Sequence, residues 1–432
     1  MRRVPALILV VLALAAGVGI GLFAGRAVMG PSAAASPSAG AQANASPSGS
    51  GLPTDAASPA PSGQASTTPA PTPSPTPVLV ADPLDGVLVA PELAKRHVVA
   101  VMIDDLWAAR PQSGLSAASQ VWQAPAEGGI PRYMALFSEG DPPAVGPIRS
   151  SRLYYIAWAA EWNAVYAHVG GSPQALALLN SSQGRGAVVW NADEFMYGPA
   201  YMWRIKTRAA PHNVYTDAAH LRSLVKAVRA PETVNYTAHW QFAPDPAPAQ
   251  LPIGGSITVP YPQNMIGYAY QQSTNSYLRT VSVEGRQYDV GPPTKVRIAP
   301  KNVVVIYMHF GPLNDGTQKH RLEAQFTGSG RALVFNNGGV VKATWKKASM
   351  TAPTYLYGPD GNPVTLTVGQ TFVQVVPVGT VVTYKLGKVP AAAASPSPSG
   401  GAPSSSPAGG ASPSPSPSPS PQGVVGDWRL VF

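Results

Sequence analysis

The chain has 432 residues, of which 12% are charged, and it is rich in proline (48) and glycine (42). It contains no cysteine, which excludes disulfide staples, cysteine-ligated zinc, iron–sulfur clusters, a cysteine nucleophile and a lipid-bearing N-terminal cysteine. Lysine and arginine number 30 against 21 acidic residues, but they do not form the dense clusters that follow a phosphate backbone, so we expect no nucleic-acid partner.

Residues 1–29 are predicted to be a signal-anchor transmembrane segment. Arg2 and Arg3 precede an uncharged stretch from Val4 to Gly25, which as a helix would be about 30 Å long, the thickness of a bilayer's hydrocarbon core. The leading arginines favour a cytoplasmic N-terminus. We therefore expect a single-pass protein of the cell membrane with most of the chain outside. A cleaved signal, cut near the alanines at 33–35, is the alternative.

Glycines recur every four residues within this apolar segment, at Gly17, Gly21 and Gly25. Three glycines on one helix face let a second backbone approach closely, which is the GxxxG mode of helix pairing. The spacing therefore suggests a homodimer through this face. The alternative is that glycine is simply common in membrane helices.

Two low-complexity tracts flank the part of the chain that can form a core. Residues 30–80 are a linker rich in Pro, Ser and Ala, which we expect to stay extended and to reach about 145 Å at most. Residues 389–421 are a Pro/Ser-rich tract, followed by an apolar tail at 422–432. The tail is expected either to return to the folded part as a last strand or to dock on a partner.

Residues 81–234 are predicted to form an α/β N-terminal domain, because short apolar runs alternate with helical periodicity. Ser172-Pro173 is a strong helix start, with the serine hydroxyl as cap. Leu221, Leu224 and Val228 share one helix face. The predicted strands are 98–103, 133–137 and 165–169, and the predicted helices are 153–163, one from Pro173 and one from Thr216.

Residues 235–388 are predicted to form a mainly-β C-terminal domain, because helical periodicity ends near residue 235. Asn337-Gly338 between two apolar runs indicates a hairpin, and a turn is predicted at 359–362. The fold class is therefore α+β or mixed, with an α/β domain before a mainly-β one. The predicted strands are 256–259, 277–283, 303–308, 333–335 and 372–376.

The segment Arg149-Ser150-Ser151-Arg152 is the strongest candidate for binding an anion. It presents two guanidiniums beside two hydroxyls at a predicted helix start, and arginine is suited to a bidentate grip on carboxylate or phosphate. The alternative is that these arginines pair internally with Glu127 or Asp104 and stabilise the domain.

Other polar residues lie at strand ends and glycine-rich turns nearby. Asp104 and Asp105 end a predicted strand, a position where α/β folds place functional side chains. His168 and His212 are candidates for the same anion site; because neither belongs to a short-range histidine pair, we predict no metal and no cofactor. The remaining candidates for the anion site are Glu127, Arg132, Ser172 and Asn213. Five tryptophans are further candidates for a sugar-stacking surface, although we expect most of them in the core: Trp122, Trp158, Trp162, Trp190 and Trp203.

Blocks along residues 90–378 resemble the YerB-like family of bacterial envelope proteins, which are classed as lipoproteins and contain domains of unknown function. The blocks are 109–115, 127–132, 145–152, 168–174 and 211–213, with 328–330, 345–347, 360–362 and 369–371 in the second half. The resemblance implies an α/β domain followed by a mainly-β domain outside the membrane, and no established reaction. Two departures are the missing lipid-carrying cysteine and Asp105 at a position where the family pattern has Asn.

The leading hypothesis is a non-enzymatic, membrane-tethered envelope protein that binds an anionic ligand, a wall glycan or its carboxylated peptide. The mild basicity and the long linker favour it. The alternative is a wall-directed hydrolase or transferase that uses His168, His212 and a carboxylate. A third hypothesis is a scaffold for a membrane enzyme complex, paired through the glycine-faced helix and the apolar tail.

Overall fold

The computed structural model describes residues 78–282, 285–290 and 295–390. The predicted membrane segment, its glycine face, both low-complexity tracts and the apolar tail lie outside the described residues, apart from the ends of the tracts at 78–80 and 389–390. None of the helices in the described ranges has the length and apolarity that crossing a membrane requires.

The elements are mostly strands. The helices are α1 Pro91–Ala94, α2 Leu153–Ala159, α3 Pro173–Leu179, α4 Glu194–Tyr197 and α5 Ala218–Ala227. The strands of the first half are β1 Val80–Ala81, β2 Leu88–Val89, β3 Val99–Asp104, β4 Gln120–Glu127, β5 Ile130–Phe137, β6 Val165–His168, β7 Trp190–Asp193, β8 Trp203–Arg204 and β9 Val214–Tyr215. Those of the second half are β10 Gln241–Ala243, β11 Ile253–Pro260, β12 Met265–Gln271, β13 Ser276–Val281, β14 Gly285–Arg286, β15 Tyr288–Val290, β16 Lys295–Arg297, β17 Asn302–Met308, β18 Phe310–Pro312, β19 Leu322–Ala324, β20 Gly328–Phe335, β21 Val341–Lys347, β22 Tyr355–Tyr357, β23 Thr365–Thr367, β24 Thr371–Pro377 and β25 Thr383–Lys388.

One mixed sheet of ten strands runs through both halves of the chain, in the order β22-β21-β20-β17-β24-β4-β5-β3-β6-β7. β24 and β4 pair in parallel and join the half before residue 235 to the half after it. A second sheet, in the order β14-β13-β12-β11-β25, belongs to the second half. The fold is therefore mixed α/β with a β-rich C-terminal part, and the boundary near residue 235 stays a prediction.

Apolar side chains cover both faces of the ten-stranded sheet. Alternate residues of β3 point to opposite faces, as the period of a strand requires: Ala100 and Met102 pack with α2 and α3, whereas Val99 and Val101 pack with α5. In the second half, β17, β20 and β24 pack against the five-stranded sheet on the face that α5 covers in the first half.

The local predictions are largely confirmed. The predicted strands lie within or overlap β3, β5, β6, β11, β13, β17, β20 and β24, and the predicted helices overlap α2, α3 and α5. The turn at Asn337-Gly338 joins β20 to β21 with φ of 51° and 69°, as the two central residues of a type I′ hairpin require. Ser172 precedes α3, but the prediction of a hydroxyl cap is wrong, since its side chain makes no capping hydrogen bond.

Helix α5 begins at Ala218 rather than at Thr216, because Asp217 provides the cap. Its Oδ1 accepts a hydrogen bond from the backbone N–H of His220 at 2.9 Å. We expect Asp217→Ala to lower the free energy of unfolding by about 1 kcal/mol, measured by urea denaturation. Asp217→Asn retains the acceptor oxygen, so this variant should lose much less stability. Equal losses for the two variants would contradict a capping role.

Candidate anion-binding site

The segments predicted to carry function converge at the carboxyl ends of β3 and β6. These neighbouring strands are parallel, and Asp104 ends one while His168 ends the other. The chain from 145 to 152 crosses these ends, with Ile148 bridged to Ile103. The N–H of Ile148 also donates to the carbonyl of Val214 at 2.7 Å, which brings the His212 segment alongside. Topology thus unites residues that are far apart in sequence.

Asp104 is the buried centre of this site. Its Oδ2 lies 2.8 Å from Nε of Arg149 and 2.7 Å from Nδ1 of His212. Its Oδ1 accepts a hydrogen bond from the N–H of Leu106 at 3.1 Å. Burial lowers the pKa of Arg149, and the Asp104 carboxylate opposes that shift. The carboxylate therefore holds one guanidinium and one imidazole side by side.

Arg149 and His212 are both open to solvent, with 23% and 14% of their side chains exposed. Among the described residues, Asp104 supplies the one ion pair of Arg149, and none accepts a hydrogen bond from its Nη1 or Nη2. Ser150, next in the chain, is half-buried. The outer edge of this guanidinium is thus available to an anion from solution.

Arg132 and Arg152 are occupied by protein groups. Both pair with the carboxylate of Glu127, with 2.8 Å between Arg132 Nη2 and Oε2. Arg132 also donates to the carbonyl of Ser150 at 2.8 Å, and Arg152 to that of Ser151 at 2.5 Å. Both guanidinium side chains are buried. The internal pairing considered for this segment is present, and these two arginines hold the Arg149 segment in place.

His168 and Ser172 are inside the protein. The Nδ1 of His168 lies 2.8 Å from the carbonyl oxygen of Gly170, and its Nε2 lies 2.8 Å from Oδ1 of Asn191. The ring of His168 is completely buried, and Ser172 is almost completely buried. Neither side chain presents a surface that a ligand could contact in this conformation.

Asn213 closes the loop that carries His212. Its Oδ1 accepts a hydrogen bond from Nη1 of Arg204 at 3.1 Å, and its Nδ2 donates to the carbonyl of Ile205 at 3.4 Å. The N–H of Ile205 donates in turn to the carbonyl of Asn213 at 2.8 Å. Asn213 is therefore a loop-closing residue that positions its neighbour, rather than an exposed ligand contact.

Sequence reasoning missed two exposed aromatic side chains on segments that adjoin the site. Trp107, three residues after Asp104, is 67% exposed. Phe195 is 74% exposed, and its ring lies close to Gly170, where an added Cβ would be 3.2 Å from Phe195 Cε2. The available signal was a tryptophan two residues after the strand-end carboxylates Asp104 and Asp105. Of the five tryptophans proposed for a sugar-stacking surface, three are buried in the core: Trp122, Trp158 and Trp162.

A group of three carboxylates suited by spacing to a cation lies elsewhere. Oxygen atoms of Asp82, Asp85 and Glu139 are within 4.8 Å of one another. Glu139 follows the end of β5, whereas Arg132 near the start of β5 pairs in register with Asp104. The carboxylate group and the anion site are therefore at opposite ends of the sheet.

Comparison with known proteins identifies relatives for most of the described chain. Among proteins of known sequence, "Putative lipoprotein YerB" of Bacillus subtilis (strain 168) is 26% identical over 303 residues, which are 68% of this chain and 86% of that protein. The crystal structure of YerB protein from Bacillus subtilis matches with a TM-score of 0.62 and 23% identity, over 71% of this chain and 99% of that one. That structural match supports the fold.

Two family models match, both described as protein of unknown function (DUF3048). The N-terminal domain model covers residues 84–230, and the C-terminal domain model covers residues 257–373. Together they span more than half of the chain and agree with the resemblance carried by the sequence blocks. The chain therefore belongs to the DUF3048 family.

Proposed function

We propose that this chain is an extracytoplasmic protein of the cell envelope that binds an anionic envelope ligand through Arg149. The observation that carries the proposal is the open edge of the Arg149 guanidinium, which a buried carboxylate holds from behind. A relative named as a lipoprotein supports an envelope location. The predicted signal anchor would tether the folded part to the membrane.

The chemistry of the site suits a carboxylate or a phosphate. A guanidinium makes paired, charge-assisted hydrogen bonds to either group. His212 lies beside it on the same Asp104 oxygen and adds a second partly exposed polar side chain to the site. Three guanidiniums share two carboxylates in the ion pairs of this region, so the site keeps an attraction for anions.

The exposed aromatic rings narrow the class of ligand. Trp107 follows Asp104 by three residues, Phe195 lies close to Gly170, and both present apolar faces to solvent. Such faces pack well against the apolar faces of sugar rings. We therefore favour a carboxylated wall glycan over its free peptide. The hydrolase alternative gains no support, because it needs His168, whose two ring nitrogens are both bonded inside the protein.

The test is co-sedimentation of the full chain, in detergent, with purified cell-wall fragments. We expect Arg149→Ala to weaken binding at least about ten-fold, which corresponds to about 1.4 kcal/mol, because a charge-assisted hydrogen bond to the ligand is lost. Arg286→Ala removes an exposed arginine of β14 and serves as the matched control. Binding that is unchanged in Arg149→Ala, or equally weakened in Arg286→Ala, would overturn the proposal.

A second variant distinguishes glycan from peptide. Trp107→Ala should weaken binding to intact wall fragments several-fold if sugar rings stack on the indole. If the ligand is the peptide carboxylate, the same variant should bind wall fragments normally while Arg149→Ala remains defective.

A further inference from the structure

We propose that a second site, independent of the one above, binds an organic carboxylate with an apolar body. It is a cavity of about 610 Å³ in the second half of the chain, within the size range of pockets that hold small ligands. The residues that carry the argument are Tyr307, Arg331, Trp345, Val378 and Val381.

The cavity exists because two strands of the large sheet diverge. β17 pairs with β20 through Ile306 opposite Ala332. Beyond that point β17 continues to pair with β24 on its other side, to Met308, whereas β20 stays paired with β21 back to Gly328. The segment 378–382, between β24 and β25, lines the resulting gap. The opening is thus a feature of the sheet topology.

The charge of the lining favours an anion. Arg331 lies over the ring of Tyr307, with 4.4 Å between the guanidinium carbon and the ring centroid. His309 is the other basic side chain of the lining, and no aspartate or glutamate is among the lining residues of the described chain. A guanidinium stacked on a ring keeps its N–H groups free to bind in the plane, which suits a carboxylate.

A buried hydroxyl gives the second, independent sign of a ligand. Tyr307, in β17 of the ten-stranded sheet, is 95% buried in the core between the two sheets, and its hydroxyl forms no hydrogen bond to any described residue. A buried polar group without a partner is costly, and native proteins rarely retain one without a reason. A carboxylate beside the stacked Arg331 would supply an acceptor for this hydroxyl once the ligand has displaced the side chains that enclose it.

The rest of the lining is apolar. Val378 and Val381 are 53% and 72% exposed at the rim, and the edge of the buried Trp345 indole reaches the cavity, its Nε1 donating to the carbonyl of Tyr307 at 2.9 Å. Exposed valines beside a cavity become covered when an apolar ligand body enters it. The ligand class is therefore amphipathic, with one carboxylate and one apolar face.

The experiment is a calorimetric titration of the full chain, in detergent, with naphthoate and with its neutral analogue naphthamide. We expect naphthoate to bind at least ten-fold more tightly than naphthamide. Arg331→Gln should weaken naphthoate binding at least ten-fold, and Tyr307→Phe, which removes only the hydroxyl, about three-fold. Tyr355→Phe and Arg286→Gln are the matched exposed controls and should bind naphthoate normally.

The two proposed sites can fail separately. Arg149→Ala should leave naphthoate affinity unchanged, and Arg331→Gln should leave sedimentation with wall fragments unchanged. Equal affinity for the amide, unchanged naphthoate binding in Arg331→Gln, or absence of binding at millimolar naphthoate would each overturn the carboxylate site. None of these results would bear on the anion site at Arg149.

Discussion

Replacing Asp105 by alanine should lower the free energy of unfolding by about 3–5 kcal/mol, the cost typical of removing one partner from a buried ion pair. The Asp105 side chain is completely buried. Its Oδ1 lies 2.7 Å from Nη2 of Arg110, and its Oδ2 accepts hydrogen bonds from Gln123 at 2.5 Å and from Asn264 at 3.2 Å. Chemical denaturation would measure the loss.

The loss is large because two guanidiniums depend on this carboxylate. Burial raises the pKa of Asp105, and the charges of Arg110 and Arg279 oppose that rise. Arg279 is also completely buried and donates to Oε1 of Gln123 at 2.7 Å. Without Asp105, the buried Arg279 would stay in a low-dielectric interior without this carboxylate, and Arg110 would lose its ion pair at 2.7 Å.

Two further variants make this prediction specific. Asp141→Ala removes a half-exposed carboxylate that pairs with Arg96 at 2.9 Å, and we expect it to cost less than about 1 kcal/mol. Asp105→Asn keeps an oxygen acceptor for Gln123, so its loss of stability should lie between the losses of Asp105→Ala and Asp141→Ala. If Asp105→Ala lost no more stability than Asp141→Ala, the result would contradict a stabilising role for the buried network.

Stability should fall as the pH rises from about 4 to about 8, through the carboxylates Asp82 and Asp85. Burial first, and the nearby charge of Glu139 second, raise the pKa of Asp82 to about 6 and that of Asp85 to about 8. Ser138 Oγ donates to Asp82 at 2.5 Å. The nearby guanidiniums of Arg96 and Arg222 donate to the carbonyls of residues 139 and 138 rather than to these carboxylates.

The direction of this pH dependence follows from proton linkage. Above pH 4 the unfolded chain has released protons that the folded protein still holds on these carboxyl groups. Raising the pH therefore favours the unfolded state until the folded pKa is passed. Each unit of difference in pKa is worth about 1.4 kcal/mol, so the cluster can account for a loss of several kcal/mol. The contribution is fully present below the unfolded pKa, near 4.

Asp85→Asn should flatten this pH dependence. Asparagine keeps the oxygen that accepts the N–H of Val87 at 3.0 Å but carries no ionisable proton. Relative to the unaltered chain, the variant should gain stability steadily with pH and level off near pH 8, as followed by denaturation at a series of pH values. Asp141→Asn, at an exposed site, should shift the curve without changing its slope. If the curves of stability against pH for Asp85→Asn and the unaltered chain were parallel, the result would contradict the linkage to Asp85.

The local elements were predictable because their signals lie within a few residues. Alternation along β3, the leucines of α5 and the Asn337-Gly338 turn depend on side-chain periods and on backbone angles that neighbouring residues set. The strand-end position of Asp104 and the turn beside His168 followed from the same reasoning. The blocks of sequence in order likewise indicated the family, which the DUF3048 models match.

The sequence by itself determined the local elements and the family, and it singled out candidate residues without showing which of them lie together. Only the tertiary structure decided which of those residues can meet a ligand. Asp104 and His212 are 108 positions apart, and Asp105 and Asn264 are 159 apart, so no local pattern reports their pairing. Because burial and ion pairing depend on such distant partners, the structure left Arg149 open while it enclosed Arg152 and His168.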